Sequence, residues 1–213
     1  MIESALGLVL RTRPLSDTSL IVHWLTASQG RVATVAKGAR RAKSPFRGKL
    51  DLFYLADFSF SRSRRSELHS LREISLRDTR AAFRRELIYL QQASYCAALI
   101  EQTTETETPL PGIFELMNGF LDALPRHMAQ SESIFGFEFK LLQELGMSPD
   151  LAQARLGPGA RELAKRIAQD HWETISRLRL SPAQREELRQ FLHGFLIFHL
   201  GRIPASRAAA MQV

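Results

Sequence analysis

Between Ala5 and Leu76 the apolar positions come in short runs separated by turn residues, and from about Asp78 onward they recur at helical spacing. Ala5–Thr12 is apolar up to Arg11. Thr18–Thr26 (TSLIVHWLT) is rich in β-branched and aromatic residues, and Pro14, Ser16 and Asp17 mark the turn before it. Gln29-Gly30 makes the next turn, and Arg31–Lys37 alternates loosely as a third strand. Leu50–Phe60 and Leu68–Leu76, separated by the polar run Ser61–Ser66, complete a set of five. Five closely spaced strands with no helix long enough for a parallel crossover predict a small closed barrel. An OB-fold is the first choice; an SH3-like barrel has a similar strand count, and pattern alone does not separate the two.

The second part reads as helices. Ala81–Thr103 is apolar nearly all round, through Leu87, Ile88, Leu90, Tyr95, Leu99 and Ile100, which suits a central, buried helix. Thr108–Gly112 breaks the chain. Ile113, Leu116, Met117, Phe120, Leu121 and Leu124 then follow at helical spacing up to Pro125, and Ser133–Leu145 forms a further helix closed by Gly146 and Pro149. Gly157-Pro158-Gly159 reads as a turn and Arg161–Trp172 as a helix. Ser181-Pro182-Ala183-Gln184 has capping-box spacing with proline at the first helical position, so it opens a last helix ending at Leu200 before Gly201. The expected architecture is α+β, with an N-terminal OB-fold barrel over residues 1–79 and an all-α domain over 80–213.

Composition adds a direction to this outline. With 45% apolar and 24% charged residues the chain has enough apolar surface to fold as a globule. Its formal charge is +7, and residues 1–80 hold 15 Lys and Arg against 7 Asp and Glu, whereas the remainder holds 14 against 15. A field concentrated in one domain attracts polyanions, nucleic acid and anionic membrane being the usual ones. The lone Cys96 forms no internal disulfide or cysteine zinc cluster, and the opening lacks the pattern of a signal peptide, so an intracellular, cytoplasmic protein is expected. The longest apolar run, Phe191–Leu200, is broken by His193, Gly194 and His199, and falls short of the roughly 20 residues that cross a bilayer.

Catalytic patterns do not emerge. Gly38–Ser44 (GARRAKS) ends like a phosphate-binding loop, but Ala42 stands where the second glycine is needed and Pro45 where the helix would open. His193 and His199 lie six apart, off any shared helix face, which favours core or surface roles over metal binding. Cys96 has apolar neighbours and no nearby cation. Glu186-Glu187 fall in the first turn of the last helix, where they favour its dipole. A non-enzyme without a cofactor is the expectation.

What remains is the segment Lys37–Lys49, which carries six cations and no acid in thirteen positions. Two glycines and a proline make it a loop. Lys37, Arg40, Arg41, Lys43, Arg47 and Lys49 would neutralise phosphates, with counterion release supplying most of the affinity. Phe46 either stacks a base or anchors the loop to the barrel. Arg62, Arg64 and Arg65 would add to the same field if the barrel brings the two loops together. A solvated loop that only aids solubility is the bland alternative. An amphipathic membrane helix is disfavoured because the charge sits on a glycine-containing loop.

In order and spacing the same residues resemble the RecO family. Val9-Leu10-Arg11-Thr12, then Ser16-Asp17-Thr18-Ser19-Leu20-Ile21-Val22, then Gly30-Arg31-Val32, and a Lys37-Gly38-Ala39-Arg40-Arg41 loop closing in Phe46-Arg47-Gly48 follow its N-terminal signature. Phe139–Gly146 with Pro149-Asp150-Leu151, and His199–Arg202 with Ser206-Arg207, are similar to its helical segments. The resemblance implies an OB-fold followed by a helical domain in a bacterial, nucleoid-associated protein of DNA repair and homologous recombination. It implies binding of single- and double-stranded DNA, annealing of complementary strands, and partnership with RecR and with the acidic C-terminal tail of single-stranded-DNA-binding protein, so that recombinase is loaded. Many members carry a four-cysteine zinc module after the Pro-Asp-Leu position; Ala152–Arg161 holds no cysteine, so zinc is not expected. Arg84 and Arg85, Lys140, or Lys165 and Arg166 are the candidates for acidic-tail capture. A protein-interaction scaffold with accessory DNA contact, or an RNA-binding OB-fold protein, are the alternatives.

Overall fold

A computed structural model describes residues 2–127 and 130–212. It contains five strands, β1 (Ile2–Pro14), β2 (Leu20–Thr26), β3 (Gly30–Ala36), β4 (Leu55–Ser61) and β5 (Leu68–Asp78). A short 3₁₀ turn at Ala81–Arg84 is followed by helices α1 (Leu87–Thr103), α2 (Pro111–His127), α3 (Ser131–Glu144), α4 (Pro158–Gln169), α5 (Trp172–Arg177), α6 (Pro182–Leu200) and α7 (Arg207–Ala210). The chain forms two compact units, Met1–Ala81 with Thr104–Glu115, and Ala82–Thr103 with Leu116–Val213.

The strands close into a barrel in the order β1-β2-β3-β5-β4, with β1 also paired to β4 and a parallel β3–β5 contact. That order is the OB-fold expected from the strand spacing. Closure depends on the length of β1, whose first half pairs with β4 from Ile2↔Ser61 and whose second half pairs with β2 as far as Pro14↔Leu20. The strict in–out alternation of β3 and β4 gives each strand one face for the interior. Inside, Trp24 stacks on Phe58 with ring centroids 4.1 Å apart, and its buried indole N–H donates to Thr34 Oγ1 at 2.9 Å. That bond satisfies the one polar atom of the largest core side chain.

The fourth strand is shorter than the run Leu50–Phe60 predicts. Phe53 adopts φ 62, donates its N–H to Val9 O at 2.8 Å, and Tyr54 O accepts from Val9 N–H at 3.0 Å. The chain therefore turns beside the β1 bulge before pairing begins at Leu55.

Thr104–Glu115 belongs to the barrel unit through polar contacts. Arg31 donates to Thr104 through Nε at 2.8 Å and Nη2 at 2.5 Å, and Arg62 pairs with both Glu3 and Glu107. The Nδ1 of buried His69 accepts from the Ser63 N–H, which leaves its Nε2 to donate to Glu107 at 2.6 Å. Gly30 permits the close approach: its φ is +65°, and a Cβ there would lie 1.7 Å from Thr108 O.

In the helical unit α3 has ten of its fourteen residues buried, and α1 has seven of its seventeen buried, with Leu87 its one exposed residue. The run Ala81–Thr103 is not one helix, since the 3₁₀ turn Ala81–Arg84 precedes α1, but from Ile88 onward it is buried or half-buried, as its apolar periodicity predicts. The capping box forms as expected, with Ser181 Oγ accepting from the Gln184 N–H at 3.2 Å and Gln184 Oε1 from the Ser181 N–H at 2.9 Å. Gly157 and Pro158 form the N-terminus of α4, not a free turn. The stretch expected as one helix to Trp172 splits because Asp170 and His171 are extended, and Trp172 opens α5. At the core, Glu138 accepts from Arg207 Nε at 2.6 Å, Arg207 Nη2 at 2.8 Å and Tyr95 Oη at 2.5 Å, which fixes α7 to α3 and α1. Burial opposes the charge on Arg207, but the hydrogen bonds and charge of Glu138 outweigh it and raise its pKa above the ordinary value.

Candidate nucleic-acid interface

The loop between β3 and β4 is an ordered chain of tight turns. Backbone bonds run from Ala39 N–H to Ala36 O, Arg41 to Gly38, Ser44 to Arg41, Arg47 to Ser44 and Lys49 to Phe46. Two further bonds tie it to the β1–β2 turn: the Arg40 N–H donates to Thr18 O at 2.9 Å, and the Gly38 N–H to Ser19 Oγ at 3.2 Å. Gly38 and Gly48 have φ of +66° and +72°, which allows the reversals.

Five of the six cations, Lys37, Arg40, Arg41, Lys43 and Arg47, are exposed, and Lys49 is half-exposed. The bonds of their head groups are to backbone carbonyls, Arg40 Nη1 to Ser16 O at 3.3 Å and Arg47 Nη1 to Ala42 O at 3.1 Å. Among the described residues none of the six pairs with a carboxylate. Their positive charge is therefore not cancelled locally, unlike that of Arg62.

Phe46 takes the anchoring role. It is only 8% exposed and packs in the barrel core with Val9, Trp24 and Tyr54, so it has no open face on which a base stacks. Nor does the β4–β5 turn join this field. It leaves from the Ile2 end of β1 while the basic loop adjoins the Pro14 end, and Arg62 is held by Glu3 and Glu107. Arg64 and Arg65 are exposed on that separate turn.

Two features of the barrel surface escape a linear reading. His23 pairs with Arg11 across β1–β2, and burial, followed by the charges of Arg11, Arg13 and Arg31, lowers its pKa to about 4. It is therefore a neutral imidazole in a cationic setting. Beside the loop, a cleft of about 380 Å³ is lined by Leu20, Ala39, Phe46 and Leu50 together with Arg40, Arg41 and Arg47.

On the helical unit, several cations singled out from sequence are already engaged. Lys140 Nζ donates to Ala168 O at 3.2 Å and lies 5.7 Å from the Trp172 ring centre, Lys165 faces Glu162, and Arg166 faces Asp170. Burial lowers the pKa of Lys140. A cleft of about 400 Å³ between α6 and the C-terminal segment, with Ile203, Pro204 and Met211 as its apolar wall and Arg189 and His193 beside them, was not legible in the sequence. Among the described residues no group of three or more His, Cys, Asp or Glu gathers to hold a metal, and no helix is long and apolar enough to cross a membrane.

Fold and loop together define a class: an OB-fold barrel that presents an uncompensated cationic loop, on a chain whose remainder is helical. Residues 1–80 match the family model described as recombination protein O N terminal, and residues 84–155 match that described as recombination protein O C terminal. The chain belongs to the RecO family of DNA repair proteins. It is 28% identical over 235 residues to DNA repair protein RecO of Anaeromyxobacter sp. (strain K), covering 94% of this chain and 92% of that one. With the RecO protein of Bacillus pumilus it shares 28% over 221 residues, covering 100% and 85%. With that of Rhodopirellula baltica it shares 31% over 144 residues, or 68% of this chain and about half, 53%, of the relative.

Proposed function

We propose that this protein binds single- and double-stranded DNA through the loop Lys37–Lys49 and anneals complementary strands without covalent chemistry. Lys37, Arg40, Arg41, Lys43, Arg47 and Lys49 neutralise phosphates on the strands and lower the repulsion that keeps complements apart; base pairing then does the sorting. Phosphate contacts position a protein without reading bases, so sequence preference is slight. What carries this is one observation: six cations on a rigid loop, with no carboxylate partner among the described residues. A loop serving only solubility would need neither the backbone ties to the β1–β2 turn nor a core anchor at Phe46.

The helical unit is the proposed seat of the protein partners, RecR and the acidic tail of single-stranded-DNA-binding protein, through which recombinase is loaded at gaps. For an acidic tail with apolar residues, the cleft beside α6 offers an apolar wall with Arg189 and His193 at its edge. The action belongs to the bacterial cytoplasm, on nucleoid DNA.

The test is salt-dependent binding and annealing by the full chain. Four to six phosphate contacts give a slope of log affinity against log salt of roughly −3 to −4 on single strands, at about −0.7 per contact. Arg40→Ala, Arg41→Ala and Lys43→Ala together should make the slope shallower by about 2 and slow annealing in parallel. A triple variant with the wild-type slope would remove the assignment. The full chain is needed because Thr104–Glu115 is part of the barrel unit, and a fragment ending at Asp78 or Thr79 would lack Glu107.

A further inference from the structure

We propose that the basic loop receives one unpaired base of a DNA strand in the cleft beside it, which makes it a single-strand site and not only a polyanion clamp. This rests on reading the loop as the DNA grip. The cleft measures about 380 Å³, toward the small end of ligand pockets, which run from about 300 to 1,000 Å³. A base with its sugar fits that size. Its apolar lining is Leu20 and Leu50, partly buried against the barrel core, with Ala39 and Phe46, each 8% exposed, beneath them.

The rim is cationic. Arg40, Arg41 and Arg47 line it, and no carboxylate does. Arg40 and Arg47 are each held by one bond to a backbone carbonyl, which leaves most of their five N–H donors for a ligand. The stem of Arg41 passes within ordinary contact distance of Gly38, whose φ of +66° makes the turn that carries Arg41 to the rim. A planar guanidinium offers a flat face to a base and donors to its phosphates. Positive rim, apolar floor and single-nucleotide volume together match an unstacked nucleotide flanked by phosphates. Bases inside a duplex are stacked and paired and cannot enter. The apolar side chains lining it, Leu20 and Leu50 with Ala39 and Phe46, offer no hydrogen bond to a base edge, so selection among bases falls to the arginines at the rim.

Three probes of equal length separate base from phosphate: a thymidine oligomer, an abasic deoxyribose-phosphate oligomer and a blunt duplex, each titrated with the full chain at several salt concentrations. The thymidine oligomer should bind about fivefold or more tighter than the abasic one, the low end of what one stacked base contributes, with the same salt slope. Ala42→Leu, which adds an aliphatic group at the exposed rim without changing charge, should remove that difference and leave the slope alone. Equal binding of thymidine and abasic oligomers by the unmodified protein overturns the cleft. So does an Ala42→Leu protein that keeps the full difference. In either case the phosphate grip survives if the Arg40, Arg41 and Lys43 triple variant still flattens the slope, so the two failures are distinguishable.

Discussion

Replacing Glu138 by alanine should destabilise the helical unit more than any surface change. Its carboxylate is fully buried and is the acceptor for two Arg207 N–H groups and the Tyr95 hydroxyl, while the Arg207 side chain is 7% exposed. Removing one partner of a buried pair costs about 3–5 kcal/mol, because the other charge is left uncompensated. An unsatisfied buried hydroxyl adds about 1–3 kcal/mol. Arg207 sits in the last helix, four residues long, and can swing partly outward, so about 4–6 kcal/mol is expected for Glu138→Ala. At roughly 2–4 °C per kcal/mol for a chain of this size, the helical transition should fall by about 10–20 °C in far-UV circular dichroism. Glu138→Gln, which keeps an acceptor and loses the charge, should fall between. The decisive comparison is Glu138→Leu with Arg207→Met, where no charge is buried and stability should return to within about 2 kcal/mol of the parent. A Glu138→Ala protein within about 1 kcal/mol of the parent, or a double variant as unstable as the single one, would refute the view that an orphaned charge sets the cost.

Other consequences concern the barrel. The pKa of His23 is lowered to about 4 by burial and then by Arg11, Arg13 and Arg31, so below pH 6.5 the unfolded chain takes up a proton that the folded one refuses. Stability should be full above pH 6.5 and decline as pH falls toward 4, by about 1–2 kcal/mol after allowing for solvent screening; His23→Gln should flatten this limb, and an imidazole that titrates near 6.5 by NMR would contradict it. Glu3 is held below the usual carboxylate range by its hydrogen bonds from Arg62, so its contribution is present above about pH 4.5 and is lost in acid. Arg62→Ala should therefore move acid unfolding to higher pH. Gly30→Ala should detach Thr104–Glu115 and expose it to protease, because a Cβ at φ +65° would meet Thr108 O at 1.7 Å. Gly48→Ala has open space around it and should cost only about 1 kcal/mol for its φ.

The local signals were legible in the sequence. Alternation in Arg31–Lys37, the turn at Gln29-Gly30 and the Ser181 capping box each depend on residues a few positions apart, and each appears where its pattern says. Long-range partners set the rest. Leu50–Phe60 is apolar enough for one strand, yet the bond from Phe53 to Val9 bends it. The segment Thr104–Glu115 carries no mark of belonging to the barrel until Arg31, Arg62 and His69 reach it from strands and a turn far back in the chain.

Charge shows the same limit at the site itself. Counting Lys and Arg locates a field but does not say which of its members are cancelled. Arg62 counts the same as Arg41 in composition, yet Glu3 and Glu107 neutralise the first, and no carboxylate among the described residues reaches the second. The difference lies in which acids make contact. The loop Lys37–Lys49 contains none, and its backbone ties run to the β1–β2 turn, where Ser16, Thr18 and Ser19 offer carbonyl and hydroxyl oxygens. A loop without acids of its own, whose bonds to the β1–β2 turn go to carbonyl and hydroxyl oxygens and not to the exposed Asp17, keeps its charge for an outside anion, whereas a cation hydrogen-bonded to Glu3 and Glu107 does not. The aromatic residue in the loop obeys the same logic: Phe46 is drawn into the core because a loop of charges needs one apolar side chain to hold it in place, and that leaves base contact to the guanidiniums and the cleft they rim.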